Sequence, residues 1–418
     1  MNKKYFIPFL FAVRTIETHK ARTALALLGV VIGVFAVVVV TSLGEGVKGF
    51  ILAQVASFGS DLIQVEVKIP NTTAMSSENS TGRAQGTQIT TLTVKDSEAI
   101  QKVPNVGAVY AGTIGQERAT YGSIGKRISL FGTGAAVATV DGNLKLESGR
   151  FFTEEEDRSL AQVAVLGSDT KETFFGQSDA VGEYITLKGQ KYRVIGVLAP
   201  RGAVAFLNFD TFTYVPVRTL QKKLLGVDYV QFISVKMEEP TREIETVADI
   251  VALLRKRHDI DNPNKDDFSV TSTKEAQKTV SDVLGSLSIL LLALTSISLL
   301  VGGVGIMNVM YVSVSERTSE IGLRKAVGAT ARSILQQFLI EALIITLAGG
   351  LLGILFGMLL TVGLGYVFAS LGFALPLSFS LQSFMLGVGF STAVGLIFGL
   401  APAYRAASLT PMEALRKD

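Results

Sequence analysis

The chain of 418 residues contains no cysteine and no tryptophan, only two histidines, and few charged residues for its length (18%). Without cysteine it can form neither disulfides nor thiolate metal sites, and His19 and His258 have no spacing typical of metal ligands. A net charge of +3 is too small to indicate nucleic acid as a partner. With 48% hydrophobic residues and a mean hydropathy of +0.41, the composition predicts a membrane protein with a soluble part.

Long runs without charge locate the membrane segments. A helix needs about 20 apolar residues to cross a bilayer, and the chain carries no charge at 23–44, 283–315 and 342–404. The last run has room for two spans, and Gly372 and Pro376 interrupt its apolar pattern at a connecting hairpin. The predicted spans are residues 23–44, 283–312, 338–368 and 382–404.

Lysine and arginine near the span ends predict the orientation, because they favour the cytoplasmic side. They occur before the first span, between the second and third, and after the fourth, but not in the hairpin between the third and fourth. We therefore expect a multi-pass cell-membrane protein with both termini in the cytoplasm. The remaining predicted segments are a cytoplasmic interfacial arm (1–22), an extracytoplasmic domain (45–282), a cytoplasmic segment (313–337), an outer hairpin (369–381) and a cytoplasmic tail (405–418).

The extracytoplasmic domain is predicted to contain two strand–helix–strand units. Alternating apolar and polar residues at 62–69 and 229–237 predict half-buried strands, and each is followed by a helical pattern and a further strand. In the second unit Thr241 can cap a helix, which would bury one apolar stripe. That stripe comprises Ile244, Val247, Val251 and Leu254.

Residues 135–225, between the two units, are predicted to form a β-rich insertion, with its clearest hairpin at 184–198. The acidic run 154–157 predicts the first turn of a helix capped by Thr153, with a cation site as the alternative. Residues 71–91 are too polar to pack; they either have no role or contact a substrate or partner. The predicted fold is an α-helical membrane protein with four transmembrane helices and a large α+β extracytoplasmic domain.

The segment 316–330, ERTSEIGLRKAVGAT, predicts a short helix between the second and third spans. Glu320 and Arg324 are four residues apart on one face, and Gly328 can end the helix. Ile321, Leu323 and Val327 give it partial apolar cover. If the segment is a helix, it either lies on lipid headgroups or docks into another protein. The alternative is a charged loop that only sets the topology.

Several long motifs resemble one family. ERTSEIGLRKAVGAT, FLIEALIITLAGGLLGILFG (338–357) and APAYRAASLTPMEALR (401–416) resemble the permeases of the MacB/FtsX-like ABC transporter family. LESGRFFTEEE (146–156) and VAVLGSDTKETFFG (163–176) resemble its extracytoplasmic core. The resemblance implies a permease that works with a separate ABC ATPase subunit and with a second copy of itself or a paralogous permease.

The resemblance also implies that the 316–330 helix is the coupling helix that enters the ATPase. The contact candidates are Glu316, Arg317, Glu320, Ile321, Arg324, Lys325, Gly328 and Ala329. This sequence contains no G-x-x-x-x-G-K-[ST] phosphate loop, so we expect a non-enzymatic chain without a cofactor, and ATP and Mg bound by the ATPase.

Two functions are consistent with this family. The chain would transmit ATP-driven movement to its outer domain, for the export of peptides, antibiotics or lipoproteins. Alternatively it would act as an FtsX-like regulator that activates an extracellular cell-wall hydrolase without transport. Membrane lipid surrounds the spans, and an extracytoplasmic adaptor or substrate is a further candidate partner.

Small and charged residues within the spans suggest specific contacts. Glycines four residues apart allow close helix packing, either within one chain or across a dimer. Glu341 enters the third span and is either a proton or ion site or the partner of Arg332 or a headgroup. The predicted packing glycines are Gly349, Gly353, Gly357, Gly395 and Gly399.

Overall fold

The computed structural model describes residues 20–56, 59, 61–72, 79, 89–204, 207–370, 375 and 380–415. The predictions for the N-terminal arm, most of the 71–91 loop and most of the 369–381 hairpin therefore lie outside the described residues. The chain folds as two units, one formed by residues 1–50 and 281–418 and the other by residues 51–280.

Helices dominate the first unit, and a sheet with short helices makes up the second. The helices are α1 (Lys20–Ala56), α2 (Val94–Ile100), α3 (Val137–Val140), α4 (Glu154–Arg158), α5 (Ser168–Phe175), α6 (Val217–Thr219), α7 (Glu243–Arg257), α8 (Thr273–Glu316), α9 (Thr318–Ala326), α10 (Ala331–Ser370), α11 (Leu381–Ser408) and α12 (Pro411–Leu415). The strands are β1 (Leu62–Val67), β2 (Val106–Tyr121), β3 (Ile124–Thr133), β4 (Leu146–Gly149), β5 (Val163–Leu166), β6 (Tyr184–Leu187), β7 (Gln190–Leu198), β8 (Ala203–Val204), β9 (Leu207–Asn208), β10 (Phe212–Pro216), β11 (Phe232–Met237) and β12 (Phe268–Ser272).

The two predicted strand–helix–strand units interleave in one sheet. Among the described residues, ten strands pair in the order β12–β1–β11–β2–β3–β10–β5–β7–β4, with β6 against β2 and β7. β1 lies antiparallel to both β11 and β12, and β11 lies antiparallel to β2. This is the strand order of the split β-α-β fold, in which each unit flanks a strand of the other.

Beyond β3, the predicted insertion (135–225) extends the same sheet through β10, β5, β7 and β4. The hairpin predicted at 184–198 is confirmed as β6 and β7, which pair from Tyr184 opposite Arg193 to Leu187 opposite Gln190. Its two turn residues, Lys188 and Gly189, have φ angles of 47° and 78°. Positive φ at both central positions is the type I′ turn that matches the strand twist of a tight hairpin.

Helix α7 differs from its prediction at its first turn. Its N-cap is Arg242 rather than Thr241, which lies in a preceding 3-10 turn. Ile244 is 85% exposed, so its place in the apolar stripe was wrong. Asn105 fixes the rotation of the helix by donating to the Thr246 hydroxyl at 2.8 Å, which turns Ile244 outward. The buried residues of α7 are Thr246, Ile250 and Leu254.

A charged cluster connects α2, α7 and the start of β12. It therefore links the two strand–helix–strand units of the sheet. The Nε of Arg257 donates to Asp96 at 2.6 Å, and Nδ1 of His258 contacts Asp267 at 2.8 Å. Asp267, and secondarily Asp96, raise the pKa of His258 to about 9. Burial alone would raise the pKa of Asp96, but His258, whose Nε2 lies 3.6 Å from its carboxylate, and hydrogen bonds from Arg257 and Thr93 hold the pKa well below its usual range.

This cluster predicts that the outer domain loses stability in alkali. Since the pKa of His258 rises from 6.5 to about 9 on folding, its contribution is complete below pH 6.5 and is lost as the pH approaches 9. We expect the free energy of unfolding to fall by about 1–2 kcal/mol over that range. Thermal unfolding of the full chain in detergent measures this loss.

The control is His258→Gln, which should unfold at a lower temperature at pH 6.5 and show a shallower dependence on pH. Equal pH slopes for the wild type and the variant would contradict the assignment.

Four helices in the described part of the chain, α1, α8, α10 and α11, are long and apolar enough to cross a membrane. They contain the four spans predicted from the uncharged runs, and the predicted class of membrane protein is confirmed. Helices α1 and α8 cross where Gly29 meets Gly302, since a Cβ built on Gly29 would lie 2.7 Å from the Cα of Gly302. Their backbones therefore touch at this point.

The glycines predicted to pack face other helices of the same chain. Gly349, Gly353 and Gly357 lie against α1, and Gly395 and Gly399 lie against α10. Close contact between helices in lipid depends on such small residues, because lipid provides no hydrophobic drive for association. Packing within one chain therefore explains why these glycines are four residues apart.

We expect Gly353→Val to destabilise the membrane helices. The added Cβ would lie 2.7 Å from the carbonyl oxygen of Val31 in α1, and overpacking of this kind costs about 1–3 kcal/mol. Gly363→Val is the matched control on the same helix, because nothing lies within 4 Å of a Cβ at Gly363. Thermal unfolding in detergent compares the two, and equal losses would contradict the packing argument.

Candidate functional site between the second and third membrane helices

The predicted short helix is present as α9 and is joined to α8 by a single residue. Arg317 leaves the helical region with φ −102° and ψ 18°, and α9 starts at Thr318. The hydroxyl of Thr318 donates back to the last turn of α8. At the other end Gly328 adopts a φ of 103°, which glycine tolerates. Gly328 therefore ends the helix, as the sequence predicts.

One side of α9 packs against α12. Ile321 is 3% exposed, and its neighbour Gly322 is also buried. A Cβ at Gly322 would lie only 2.5 Å from the Cβ of Ala414. The approach of the two helices therefore depends on a glycine at this position.

A buried ion pair anchors the start of α9 to α10. Nη1 of Arg317 lies 3.1 Å from Oε2 of Glu341, whose side chain is 2% exposed. The predicted pairing of Glu341 with Arg332 is wrong. Arg332 lies nine residues earlier on the same helix, which is half a turn around the axis and about 13 Å along it. The arginine partner favours the structural role of Glu341 over a proton or ion site.

The remaining charged residues of α9 also make contacts within the chain. Arg324 donates to Oε1 of Gln337 at 2.7 Å and bonds Glu320, the partner predicted four residues earlier. Nζ of Lys325 donates to the carbonyl oxygens of Ala407 at 2.5 Å and Leu409 at 2.6 Å. These charged groups face the ends of α10 and α11.

Two large apolar side chains are exposed on α9 and at its C-cap, Val327. Leu323 is 59% exposed and Val327 is 84% exposed. Of the eight predicted contact residues, Glu316 and Gly328 are exposed, Ala329 packs against the membrane core, and the other five make the contacts above. The prediction therefore omitted the two exposed apolar residues. Their spacing of four residues was the available signal, but it was interpreted as cover for the helix.

The acidic run at 154–157 is a capped helix, as predicted. The amide of Thr153 donates to Glu156 at 2.8 Å, and the amide of Glu156 donates to the Thr153 hydroxyl at 3.3 Å. Arg218 donates to Asp157 at 3.2 Å. Burial raises the pKa of Asp157 to about 6. Arginine side chains pair with the carboxylates of Glu154, Glu156 and Asp157, so this geometry gives no support to the alternative of a cation site.

Comparison with known proteins places both units in described families. Residues 23–253 match the MacB-like periplasmic core domain, and residues 292–411 match the FtsX-like permease C-terminal region. The "Macrolide export ATP-binding/permease protein MacB" of Wolinella succinogenes is 36% identical over 97% of this chain and 60% of that protein. Its counterpart in Azoarcus sp. is 35% identical over 97% and 59%.

The chain thus spans about three fifths of the length of these relatives. Among solved structures, the periplasmic region of MacB from Actinobacillus actinomycetemcomitans matches 54% of this chain and 95% of its own, with 21% identity and a TM-score of 0.46. The apolar helices and the core-domain match indicate a membrane protein with an extracytoplasmic domain. The chain belongs to the MacB/FtsX-like permease family.

Proposed function

We propose that this chain is the permease subunit of an ABC transporter, with both termini in the cytoplasm. A separate ATPase, which binds ATP and Mg, docks on α9, and its movement is transmitted to the extracytoplasmic domain. The relatives support the pairing of a permease with an ATP-binding part, because their name joins the two. The permease works with a second copy of itself or with a paralogous chain.

The exposed apolar side chains of Leu323 in α9 and of its C-cap Val327 carry the proposal. Leu323 and Val327 project from a helix whose charged side chains are engaged within the chain. Exposed apolar groups on a short helix outside the membrane spans are typical of a protein-binding surface. Lipid headgroups are the competing occupant, and they would not require a fixed arrangement of α9 against α10 and α12.

The cargo proposed for this transporter is a peptide, an antibiotic or a lipoprotein, handled on the outer side of the membrane. The second candidate function is activation of an extracellular cell-wall hydrolase, favoured by the match of residues 292–411 to the FtsX-like region. An ATPase–permease complex in lipid distinguishes them. Extrusion of these compounds, with raised ATP turnover, supports transport, whereas turnover raised only by a secreted hydrolase supports regulation.

We expect the double variant Leu323→Asp, Val327→Asp to lose the ATPase. Charges on this face would be buried without partners on docking, and the association should weaken by at least about tenfold. The measurement is co-purification of the ABC ATPase with the tagged full chain from its native membrane.

The control is Ile244→Asp, which changes an apolar residue of the outer domain that, at 85%, is about as exposed as Val327. It should leave the association intact. Undiminished co-purification of the ATPase with the double variant would remove the docking assignment of α9.

A further inference from the structure

The end of the last membrane helix is unusual in how its carbonyls are satisfied. The final carbonyl groups of a helix lack partners within it, and a left-handed glycine often turns the chain back to cap them. Here Leu409 follows α11 with extended backbone, φ −56° and ψ 133°. The ammonium group of Lys325 instead donates to the carbonyl oxygens of Ala407 and Leu409. A cation there also complements the negative end of the helix dipole.

Lys325 belongs to α9, so this cap links two elements that are 82 residues or more apart in sequence. Both acceptors are main-chain atoms. A displacement of the ammonium group therefore acts on the backbone of α11 and cannot be absorbed by rotation of an acceptor side chain. The neighbouring contacts of Arg317 with Glu341 and of Arg324 with Gln337 hold α9 to α10 through side chains.

We propose that Lys325 is a positioning residue that ties α9 to the end of α11, so that a displacement of α9 moves the fourth membrane helix. The inference rests on the proposed function in one respect, because the ATPase supplies the displacement. The proposal gives Lys325 a role different from the ATPase contact that the resemblance implies. Its ammonium group binds two carbonyl oxygens of its own chain and is therefore not available to the ATPase.

The first experiment tests the tie without nucleotide or ATPase. Because the chain has no cysteine, spin labels can be attached at Ser319→Cys and Tyr404→Cys, two exposed positions on α9 and α11. In the full chain in lipid nanodiscs, Lys325→Gln should broaden the distance distribution between the labels. Lys325→Arg, which keeps a charged donor, should restore a narrow one. A distribution as narrow in Lys325→Gln as in the wild type overturns the proposal.

Arg332→Gln is the matched control for the first experiment. It removes one positive charge from an exposed position at the start of α10 and should leave the distribution narrow. Broadening of equal size in Arg332→Gln would show an effect of charge alone and would also overturn the proposal.

The second experiment follows the movement itself. Labels at Val283→Cys and Leu381→Cys, 60% and 74% exposed, report the position of α11 relative to α8. With the co-purified ATPase, a non-hydrolysable ATP analogue should shift this distance by about 1–2 Å in the wild type and in Lys325→Arg. The shift should be absent in Lys325→Gln although the ATPase still co-purifies.

The outcomes separate the two proposals. Loss of ATPase binding in Lys325→Gln, with an unchanged distribution in the first experiment, would make Lys325 a docking contact and overturn its positioning role. A full distance shift in Lys325→Gln overturns it as well. If no ATPase associates even with the wild type, the proposed function fails, and the first experiment alone decides whether Lys325 ties α9 to α11.

Discussion

Close approach of backbones in lipid is the constraint on which the membrane unit depends. The apolar faces of these helices gain nothing by leaving lipid for one another, so dispersion between closely packed atoms has to hold them. Glycine permits this at the crossing of Gly29 and Gly302 and along the face of α10 that carries Gly353. With α10 and α11 held at these distances, Glu341 lies within reach of Arg317, and the carbonyl end of α11 lies within reach of Lys325.

Different interactions stabilise the two units. The outer domain has no disulfides because the chain has no cysteine, and it relies on apolar clusters on the faces of a continuous sheet. The charged cluster of Asp96, His258 and Asp267 adds a tie between the interleaved halves. The membrane unit instead places a buried ion pair at the junction of helices, where Glu341 is buried against Arg317.

Much of the architecture could be predicted from the sequence, for identifiable reasons. The thickness of the hydrocarbon core sets a minimum length for a span, so the uncharged runs locate the four membrane helices. Alternation located β1 and the β6–β7 hairpin because side chains on a strand alternate between faces. Alternation does not specify which strand will be the neighbour, and for this reason the interleaving of β1 between β11 and β12 was not predicted.

The candidate site was predicted only in outline. The position of α9 and the pair of Glu320 with Arg324 follow from spacing along one helix. The partner of Glu341 was wrong because an ion pair between two helices leaves no local pattern. The resemblance predicts Lys325 as a contact with the ATPase, and this stays a prediction. Its hydrogen bonds to main-chain carbonyl oxygens could not be predicted, because such acceptors have no sequence signature.

The single residue between α8 and α9 has a consequence for any motion of the short helix. Arg317 is the single residue between the two helices, and its own amide and carbonyl groups bond to Ser313 and Ile321. The same residue carries the guanidinium group that pairs with buried Glu341. Bending at the joint would therefore draw apart a desolvated pair of opposite charges, which gives the angle between the two helices an electrostatic restoring force.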